Sequence, residues 1–336
     1  MIKRAIFLLG AIVLLFNNHV FSQWTPDILG DRFQQMEIYM PDDYEGKVKC
    51  VLIRRLPENP TDKAVLYIHG FSDYFFHTEQ ASRFNEEGYA FYAVDLRKYG
   101  RSYMDHQKMG NLKNIEEYYE DIDSCLAIIL NNGYSTIILA AHSTGGLIGS
   151  LYAHDKRDHF PVNGMILNSP FLDMNFNSFK EKIGVPVVAT IGAVFPNIGL
   201  ESGDNSFYGE SLHQNYQGEW DYNLEWKPCK SIPVSFGWTR AIHRGHKKLQ
   251  KGLDIPCPVL VMHSDKSVYG DEWSEDFTRG DAVLDVEDIH SYAPYLGKNV
   301  TVEVINDGLH DLVLSKKEVR DNVYQTIFSW LKMNNL

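Results

Sequence analysis

The sequence predicts an α/β fold, with a mostly parallel sheet, helices on both faces and an inserted cap. Short apolar runs alternate with segments of helical periodicity along most of the chain. Several of these runs carry almost no polar residue, as in residues 64–68 with the sequence AVLYI. Such a run is typical of a strand that is buried on both faces, and its alternation with helices is typical of a parallel sheet.

The individual elements follow from periodicity and from the residues at their ends. Residues 36–40 and 48–54 have the pattern of a β-hairpin with a turn near Gly46. Helices at 78–87 and 115–130 are expected to stop at or before a glycine that follows them. Further strands are expected at 64–68, 89–94, 136–141, 164–167, 259–262 and 300–305, and further helices at 145–153, 286–296 and 318–331.

Residues 171–256 interrupt the alternation of strands and helices. They contain an apolar segment at 183–200 and continue as a polar and aromatic stretch. We interpret this region as a cap inserted into a sheet domain that is formed by residues 23–170 and 257–336. A small independent domain with no role in the chemistry is the alternative.

Residues 1–22 have the features of an export signal. Two basic residues near the start precede an unbroken apolar run at 5–16, and Val20 and Ser22 suit cleavage before Gln23. Apolar cores of signal peptides are about 7–15 residues long, so this run fits. We predict a periplasmic or secreted protein, and an uncleaved anchor or a buried helix is the alternative.

Composition narrows the classes of function. The formal net charge of −12 disfavours a nucleic-acid partner, because no broad basic surface is available for phosphates. No apolar run reaches the roughly 20 residues that a membrane-spanning helix needs. Phosphate-binding, dinucleotide-binding and common metal motifs do not occur, so no metal and no organic cofactor is expected.

Some side chains leave two interpretations open. Cys229 and Cys257 flank one segment and could pair in an oxidising compartment, or they are free thiols. His243 and His246 stand among basic residues, and a solvated basic helix face explains them better than a metal site does. An aromatic group could line an acyl pocket or pack in the core; its members are Phe71, Tyr74, Phe75 and Phe76.

The segment AAHSTGG at 140–146 has the pattern of a nucleophile elbow, with Ser143 as the nucleophile. It follows a predicted strand and opens a predicted helix, and small residues flank the serine at the positions where the turn is tightest. The backbone N–H of Thr144 would then lie at a helix N-terminus, where an oxyanion is favoured. In folds of this kind the N–H of Phe71, directly after His69-Gly70, is expected to be the second oxyanion donor.

A general base and an acid are expected near the C-terminus. His310 follows the last predicted strand, where its imidazole could reach the serine. Asp265 and Asp281 both follow the preceding strand. We favour Asp281, because it leaves room for one helix and one strand before His310 without a long loop in that unit. Asp285 is a weaker candidate and is expected to cap the following helix.

At these residues the sequence resembles the α/β-hydrolase superfamily. It is most similar to the branch that holds monoacylglycerol lipase-like and serine aminopeptidase-like hydrolases. The segments that carry the resemblance are His69-Gly70-Phe71 and residues 95–102, 141–146, 281–285 and 308–310. Lys98 stands where the family usually has glycine, and the loop before the acid is longer than usual.

The resemblance implies a serine hydrolase that cleaves a carboxylic ester through an acyl-enzyme, and the N-terminal segment predicts that it is exported. Ser143 would be the nucleophile, His310 the general base and Asp281 the acid, with Phe71 and Thr144 as oxyanion donors. A small-molecule or lipid ester is the expected substrate, and the apolar part of the cap suits transient contact with a membrane surface. The alternatives are a serine aminopeptidase-type peptidase, whose cap carboxylates would bind a substrate ammonium, and a non-catalytic binding protein on the same fold.

Overall fold

The computed structural model describes residues 23–30, 32–174, 184–200 and 206–336. The predicted export signal lies outside these residues. The described strands are β1 (Thr25–Pro26), β2 (Phe33–Asp43), β3 (Gly46–Arg55), β4 (Lys63–Ile68), β5 (Ala90–Asp95), β6 (Thr136–His142), β7 (Gly164–Asn168), β8 (Gly199–Leu200), β9 (Val234–Ser235), β10 (Val259–Ser264) and β11 (Val300–Ile305). The described α-helices are α1 (Thr78–Glu86), α2 (Tyr119–Asn131), α3 (Thr144–Asp155), α4 (Val185–Ile191), α5 (Phe207–Leu212), α6 (Phe236–Leu249), α7 (Val286–Tyr292) and α8 (Lys317–Met333).

Nine of the described strands form one mixed sheet in the order β1-β2-β3-β5-β4-β6-β7-β10-β11. Every neighbouring pair from β5 to β11 is parallel. The β2–β3 hairpin is antiparallel, and β3 runs antiparallel to β5. The predicted α/β fold with a mostly parallel sheet is therefore confirmed.

Apolar layers cover both faces of the sheet. Alternate residues of each central strand point to opposite faces, so Leu66 of β4 contributes to one layer and Val65 to the other. Helices α2 and α3 pack on the first face, and α1 and α8 pack on the second. Burial on both faces explains why these strands have continuous apolar sequences.

Two predicted helices are shorter than expected. The helix predicted for 115–130 begins as a 3-10 turn at Ile115–Tyr118, and α2 follows it. The helix predicted for 286–296 ends at Tyr292 and continues as a 3-10 turn that contains Pro294. Proline has no N–H to donate to the preceding turn, which accounts for the change. The Asp285 side chain accepts a hydrogen bond from the N–H of Glu287 at 3.0 Å, so the predicted cap is confirmed.

Between β7 and β10, the described residues add no strand to the main sheet. They form α4, α5, α6 and the separate two-stranded β8–β9 pair. Helix α6 packs against α3 and α4. In the described part of the chain, no helix combines the length and the apolar character needed to cross a membrane.

One side-chain expectation needs correction, and one open alternative is decided. His246 does not lie on a solvated basic face, because its ring is 1% exposed and its Nε2–H donates to the Phe171 carbonyl oxygen at 2.9 Å. It occupies the side of α6 that faces the core, two residues after the exposed Arg244. All four cysteines lie in the described residues and are free thiols, so Cys229 and Cys257 are not paired.

Candidate active site

The chain turns sharply at Ser143, between β6 and α3. Ser143 has φ 51° and ψ −120°, a backbone conformation that residues with a side chain rarely adopt. A Cβ on Gly145 would lie 2.6 Å from the Ile68 carbonyl oxygen, and one on Gly70 would lie 3.0 Å from the Ser143 Cβ. The turn therefore brings α3 against the end of β4 at a distance that only glycine permits at position 145.

A chain of hydrogen bonds connects Ser143, His310 and Asp281. The Ser143 Oγ lies 3.0 Å from His310 Nε2, and His310 Nδ1 lies 2.8 Å from Asp281 Oδ2. A carboxylate only accepts, so Nδ1 carries the proton and Nε2 is free to accept from the serine hydroxyl. The Asp281 Oδ1 accepts from the N–H groups of Val283 and Leu284, at 2.8 Å each, which fixes its carboxylate.

Asp265, the other candidate for the acid, has a different hydrogen-bond partner. Its Oδ1 accepts a hydrogen bond from the N–H of Asp307 at 2.8 Å, and no hydrogen bond joins it to His310 in the described chain. Asp281 comes back to the end of β10 because its N–H donates to the Lys266 carbonyl and its own carbonyl accepts from Val268. The long loop thus starts and finishes at the same edge of the sheet, and it brings Asp281 to His310.

Two backbone N–H groups lie beside the serine. In the described chain, neither the N–H of Phe71 nor that of Thr144 donates to a protein acceptor. Thr144 is the first residue of α3, so its N–H lies at the positive end of the helix dipole. His69 lies beneath the turn, where its Nε2 accepts from the N–H of Leu96 at 3.0 Å. Burial lowers the pKa of His69, which favours this neutral form.

The aromatic residues after His69-Gly70 divide between two environments. Phe75 is fully buried in the core beside Phe91, so it does not line a pocket. Tyr74 and Phe76 are also buried and pack against aromatic residues of the segment 171–256. Phe71 alone among the four is partly exposed, and its ring lies 4.6 Å from that of Trp238.

A second buried polar group adjoins the base and was not predicted. Asp311 is fully buried; its Oδ2 lies 2.8 Å from His77 Nε2, and its Oδ1 accepts from Asn168 Nδ2 at 2.7 Å. The Asp311 N–H donates to the hydroxyl of Tyr208 at 3.1 Å. These bonds attach the loop that carries His310 to the end of β7, to the start of α1 and to α5. The partners lie far apart along the chain, and no sequence motif indicated them.

His142 extends this polar group to the base. Its ring packs 4.7 Å from the His310 ring, and burial lowers its pKa to about 4. The imidazole of His142 is therefore neutral at pH 7. Burial opposes ionisation of Asp311, but the facing rings of His142 and His77 hold the pKa of that carboxyl well below its usual range.

Three of these buried groups are of the types that bind metals. One ligand atom each from Asp73, His142 and Asp311 lie within 4.8 Å of one another. The Lys227 ammonium lies 2.9 Å from the Asp73 carboxylate, and His77 already contacts Asp311. Because the chain supplies its own positive charge here, we assign no metal to these residues.

The comparison with known protein families agrees with the observed fold and with the turn at Ser143. Residues 59–316 match the profile of the family described as serine aminopeptidase, S33. The chain belongs to this family. It is a hydrolase with the α/β-hydrolase fold, in the branch that includes monoacylglycerol lipase-like enzymes.

Proteins similar to this chain include a probable lysophospholipase and two monoacylglycerol lipases. The chain is 23% identical over 298 residues to a probable lysophospholipase L2 from Haemophilus influenzae, covering 83% of this chain and 87% of that protein. A monoacylglycerol lipase from Paleococcus ferrophilus superposes with a TM-score of 0.63 at 20% identity, covering 84% of this chain and 99% of the other. A Saccharomyces cerevisiae monoglyceride lipase gives 0.61 at 17% identity, with 89% and 96% covered. At these identities the structural likeness shows the fold.

Proposed function

We propose that this S33-family hydrolase cleaves carboxylic esters through an acyl-enzyme. The observation that carries the proposal is the continuous hydrogen-bonded chain from Ser143 through His310 to Asp281. A serine hydroxyl that donates to an imidazole, which in turn donates to a buried carboxylate, is the arrangement that activates a serine nucleophile. The two N–H groups beside the serine supply the complementary site for negative charge.

In the proposed mechanism Ser143 Oγ attacks the ester carbonyl and its proton passes to His310 Nε2. The carbonyl oxygen becomes an oxyanion that accepts hydrogen bonds from the N–H groups of Phe71 and Thr144. His310 then protonates the leaving alcohol, and the C–O bond breaks to leave the acyl-enzyme. Water attacks the acyl carbonyl with His310 again as base, which releases the acid and restores Ser143. Asp281 keeps the imidazole in the required tautomer and stabilises its charged form.

We further propose that the substrate is a lipid ester and that residues 171–256 act as a cap over the site. Tyr208 from α5 packs edge-on, 5.6 Å from the His310 ring, and Trp238 from α6 contacts Phe71. The names of the similar proteins, lysophospholipase and monoacylglycerol lipase, support a lipid ester.

The cap also carries an apolar surface, which supports transient contact with a membrane. Its exposed members, in and after α4, are Val187, Ile191, Val194, Phe195 and Ile198. Replacing Val194 and Phe195 by serine should weaken binding to phosphatidylglycerol-containing vesicles in a sedimentation assay. It should leave hydrolysis of a soluble short-chain ester unchanged. Equal vesicle binding by both proteins would contradict the membrane contact.

The experiment that tests the ester proposal compares nitrophenyl esters, a monoacylglycerol and a lysophospholipid with aminoacyl-anilides. We expect turnover of the esters and labelling by a fluorophosphonate probe, and Ser143→Ala should lose both while remaining folded. Loss of a triad nucleophile costs on the order of 10⁶ in kcat. Preference for the anilides would favour the aminopeptidase alternative. Turnover above a few per cent in Ser143→Ala, with contamination excluded, would contradict the mechanism.

Export is a separate proposal, supported by the charged start and the apolar run of the N-terminal segment. Removal of residues 1–22 would give a mature protein that begins at Gln23, in the periplasm or outside the cell. Intact-mass measurement of protein recovered from an exporting host checks this. A mature pool that retains Met1 would contradict it.

A further inference from the structure

A lysine of the proposed cap is buried against the loop that carries the Phe71 N–H. The side chain of Lys227 is 8% exposed, and its Nζ lies 2.9 Å from the Oδ1 of Asp73, whose side chain is 1% exposed. Asp73 follows Phe71 by two residues in the chain. We call residues 71–74 the oxyanion loop. This buried charged pair therefore lies two residues along the chain from one of the two proposed oxyanion donors.

Two further hydrogen bonds join the same two segments. The N–H of Asn223 donates to the Tyr74 hydroxyl at 2.8 Å, and the N–H of Ile232 donates to the Ser72 Oγ at 3.3 Å. We call residues 223–232 the strap. The Lys227 ion pair lies between these two bonds along the strap, so three successive residues of the oxyanion loop, from Ser72 to Tyr74, are each held by it.

The oxyanion loop needs such support because its conformation is unfavourable by itself. Ser72 has φ 53°, which is rare for a residue with a side chain, and such backbone conformations persist only where the surroundings enforce them. Each N–H donor must point at the site where the negative charge develops, and Ser72 is the residue next to Phe71. Release of the strap would therefore allow the Phe71 N–H to turn away.

Of the three contacts between the strap and the oxyanion loop, the ion pair of Lys227 with Asp73 matters most, because it compensates a buried negative charge. The carboxylate of Asp73 faces His142 and Asp311, with a ligand atom of each within 4.8 Å of the others, so two buried carboxylates share this space. Without the ammonium group, Asp73 would be a buried charge with no positive partner, and the N–H of Tyr74, at 2.9 Å, would be the one described donor left to its Oδ1. A buried charge that loses its partner is strongly unfavourable, and the loop would be expected to move until Asp73 reaches water.

We propose that Lys227 is a positioning residue: its ammonium group, through Asp73, holds the oxyanion loop so that the Phe71 N–H faces the developing oxyanion. The inference rests on the proposed ester hydrolysis. It means that the Phe71 N–H is correctly placed only while the strap contacts the oxyanion loop. Lys227 itself touches neither Ser143 nor His310 among the described contacts, so its effect passes through Asp73.

The test compares Lys227→Met with Lys230→Met, an exposed lysine of the same strap. Removing one oxyanion donor lowers kcat by about 10²–10³, and a displaced donor should cost part of that. On a nitrophenyl ester we expect Lys227→Met to lower kcat by about 10- to 100-fold with KM changed by less than about twofold. Its affinity for a trifluoromethyl ketone, whose adduct places an oxyanion in the same site, should fall by a similar factor. Lys230→Met should match the wild type.

A double-mutant cycle checks the route through Asp73. Since Lys227→Met leaves Asp73 uncompensated, adding Asp73→Asn should restore part of the lost kcat, so the two effects are not additive. If Lys227→Met does not fold, Tyr74→Phe replaces it as the test. That variant removes only the acceptor of the Asn223 N–H, and we expect kcat to fall by about 3- to 10-fold with KM retained.

Two results with the folded Lys227→Met variant would overturn the inference: an unchanged kcat, or a rise in KM with kcat retained. An equal loss in Lys230→Met would also overturn it, because the effect would then not belong to the buried pair. Failure of the underlying ester proposal has a different signature. In that case the wild-type protein itself neither hydrolyses the esters nor reacts with the fluorophosphonate probe.

Discussion

Two aspartates follow β10, and their hydrogen-bond partners separate them. Asp281 gives one oxygen to His310 Nδ1 and the other to two backbone N–H groups. Asp265 instead accepts from the N–H of Asp307, on the loop that follows β11. The first carboxylate therefore orients an imidazole, whereas the second connects two loops at the edge of the sheet.

Replacement of each aspartate by asparagine tests this difference at the level of single residues. Asp281→Asn should lower kcat by ~10⁴, because the amide can donate to Nδ1 and so favours the wrong tautomer of His310. Asp265→Asn keeps an oxygen for the Asp307 N–H and should retain most activity. Steady-state kinetics on one ester is the measurement, with circular dichroism as the control for folding. The reverse pattern would reassign the acid.

The residues of the proposed site differ in how well a sequence can indicate them. Ser143 has a local signal, since small residues, a strand and a helix surround it within one short segment. His310 and Asp281 have only positional signals, which depend on locating the strands before them. Asp73, Asp311 and Lys227 have none, because each is explained by a partner distant in the chain. Buried ion pairs of this kind obey no periodicity and become visible only in three dimensions.

At the level of elements, the turn between β6 and α3 depends on close contact between a helix and the neighbouring strand. A side chain at Gly145 would overlap the carbonyl groups of His69 and Ile68, which are backbone atoms and cannot rotate away. Gly149 lies one turn further along α3, and a Cβ there would lie 3.2 Å from the end of the Leu139 side chain, with Met165 and Ala141 at 3.6 Å and 3.8 Å. The two glycines therefore lie in the same helix but differ in whether the nearest neighbour is rigid backbone or a flexible side chain.

Gly145→Ala should destabilise the protein and reduce activity, whereas Gly149→Ala should do neither strongly. Overpacking against a rigid neighbour costs about 1–3 kcal/mol, more than the roughly 1 kcal/mol that alanine gains over glycine in a helix. At Gly149 the flexible leucine can yield, so the change in unfolding free energy should stay within about 1 kcal/mol of zero. Urea unfolding and ester kinetics measure both effects. Equal stability of the two variants would contradict the close-contact explanation.

Elements buried on both faces were the ones that the sequence predicted best. Strands β4, β6, β7 and β10 agree with the predicted ranges to within two residues at each end, because an uninterrupted apolar run is typical of a strand buried on both faces. Strand β11 also has its predicted bounds, although only Ile305 of its residues is buried. The 3-10 turns at Ile115–Tyr118 and Ala293–Leu296 were missed, since their residues have helical spacing. Helix α6 was not located either, because its place depends on packing against α3 and α4.

For the molecule as a whole, the buried histidines couple stability to pH. His142 and His246 are both buried, and burial lowers the pKa of each to about 4. In the unfolded chain both would titrate near pH 6.5. Between these values the unfolded state binds protons that the native state does not, so the free energy of unfolding falls as the pH falls from about 6.5 to about 4. Above pH 6.5 neither state is protonated at these rings, and their stabilising effect is fully present.

His246→Gln isolates one of these two contributions, because in the described chain the His246 ring contacts Phe171 and forms no hydrogen bond with Ser143, His310 or Asp281. A glutamine amide can still donate to the Phe171 carbonyl, which accepts from the His246 ring in the native protein. Each such histidine contributes a slope of up to about 1.4 kcal/mol per pH unit in this range, so the variant should lose that much of the slope. Urea unfolding at intervals between pH 4.5 and 7 measures it. His159→Gln is the control, since this exposed side chain should leave the slope as it is. An identical slope in wild type and His246→Gln would mean that His246 has the same pKa in the folded protein as in the unfolded chain, and that its burial in α6 does not disfavour the charged ring.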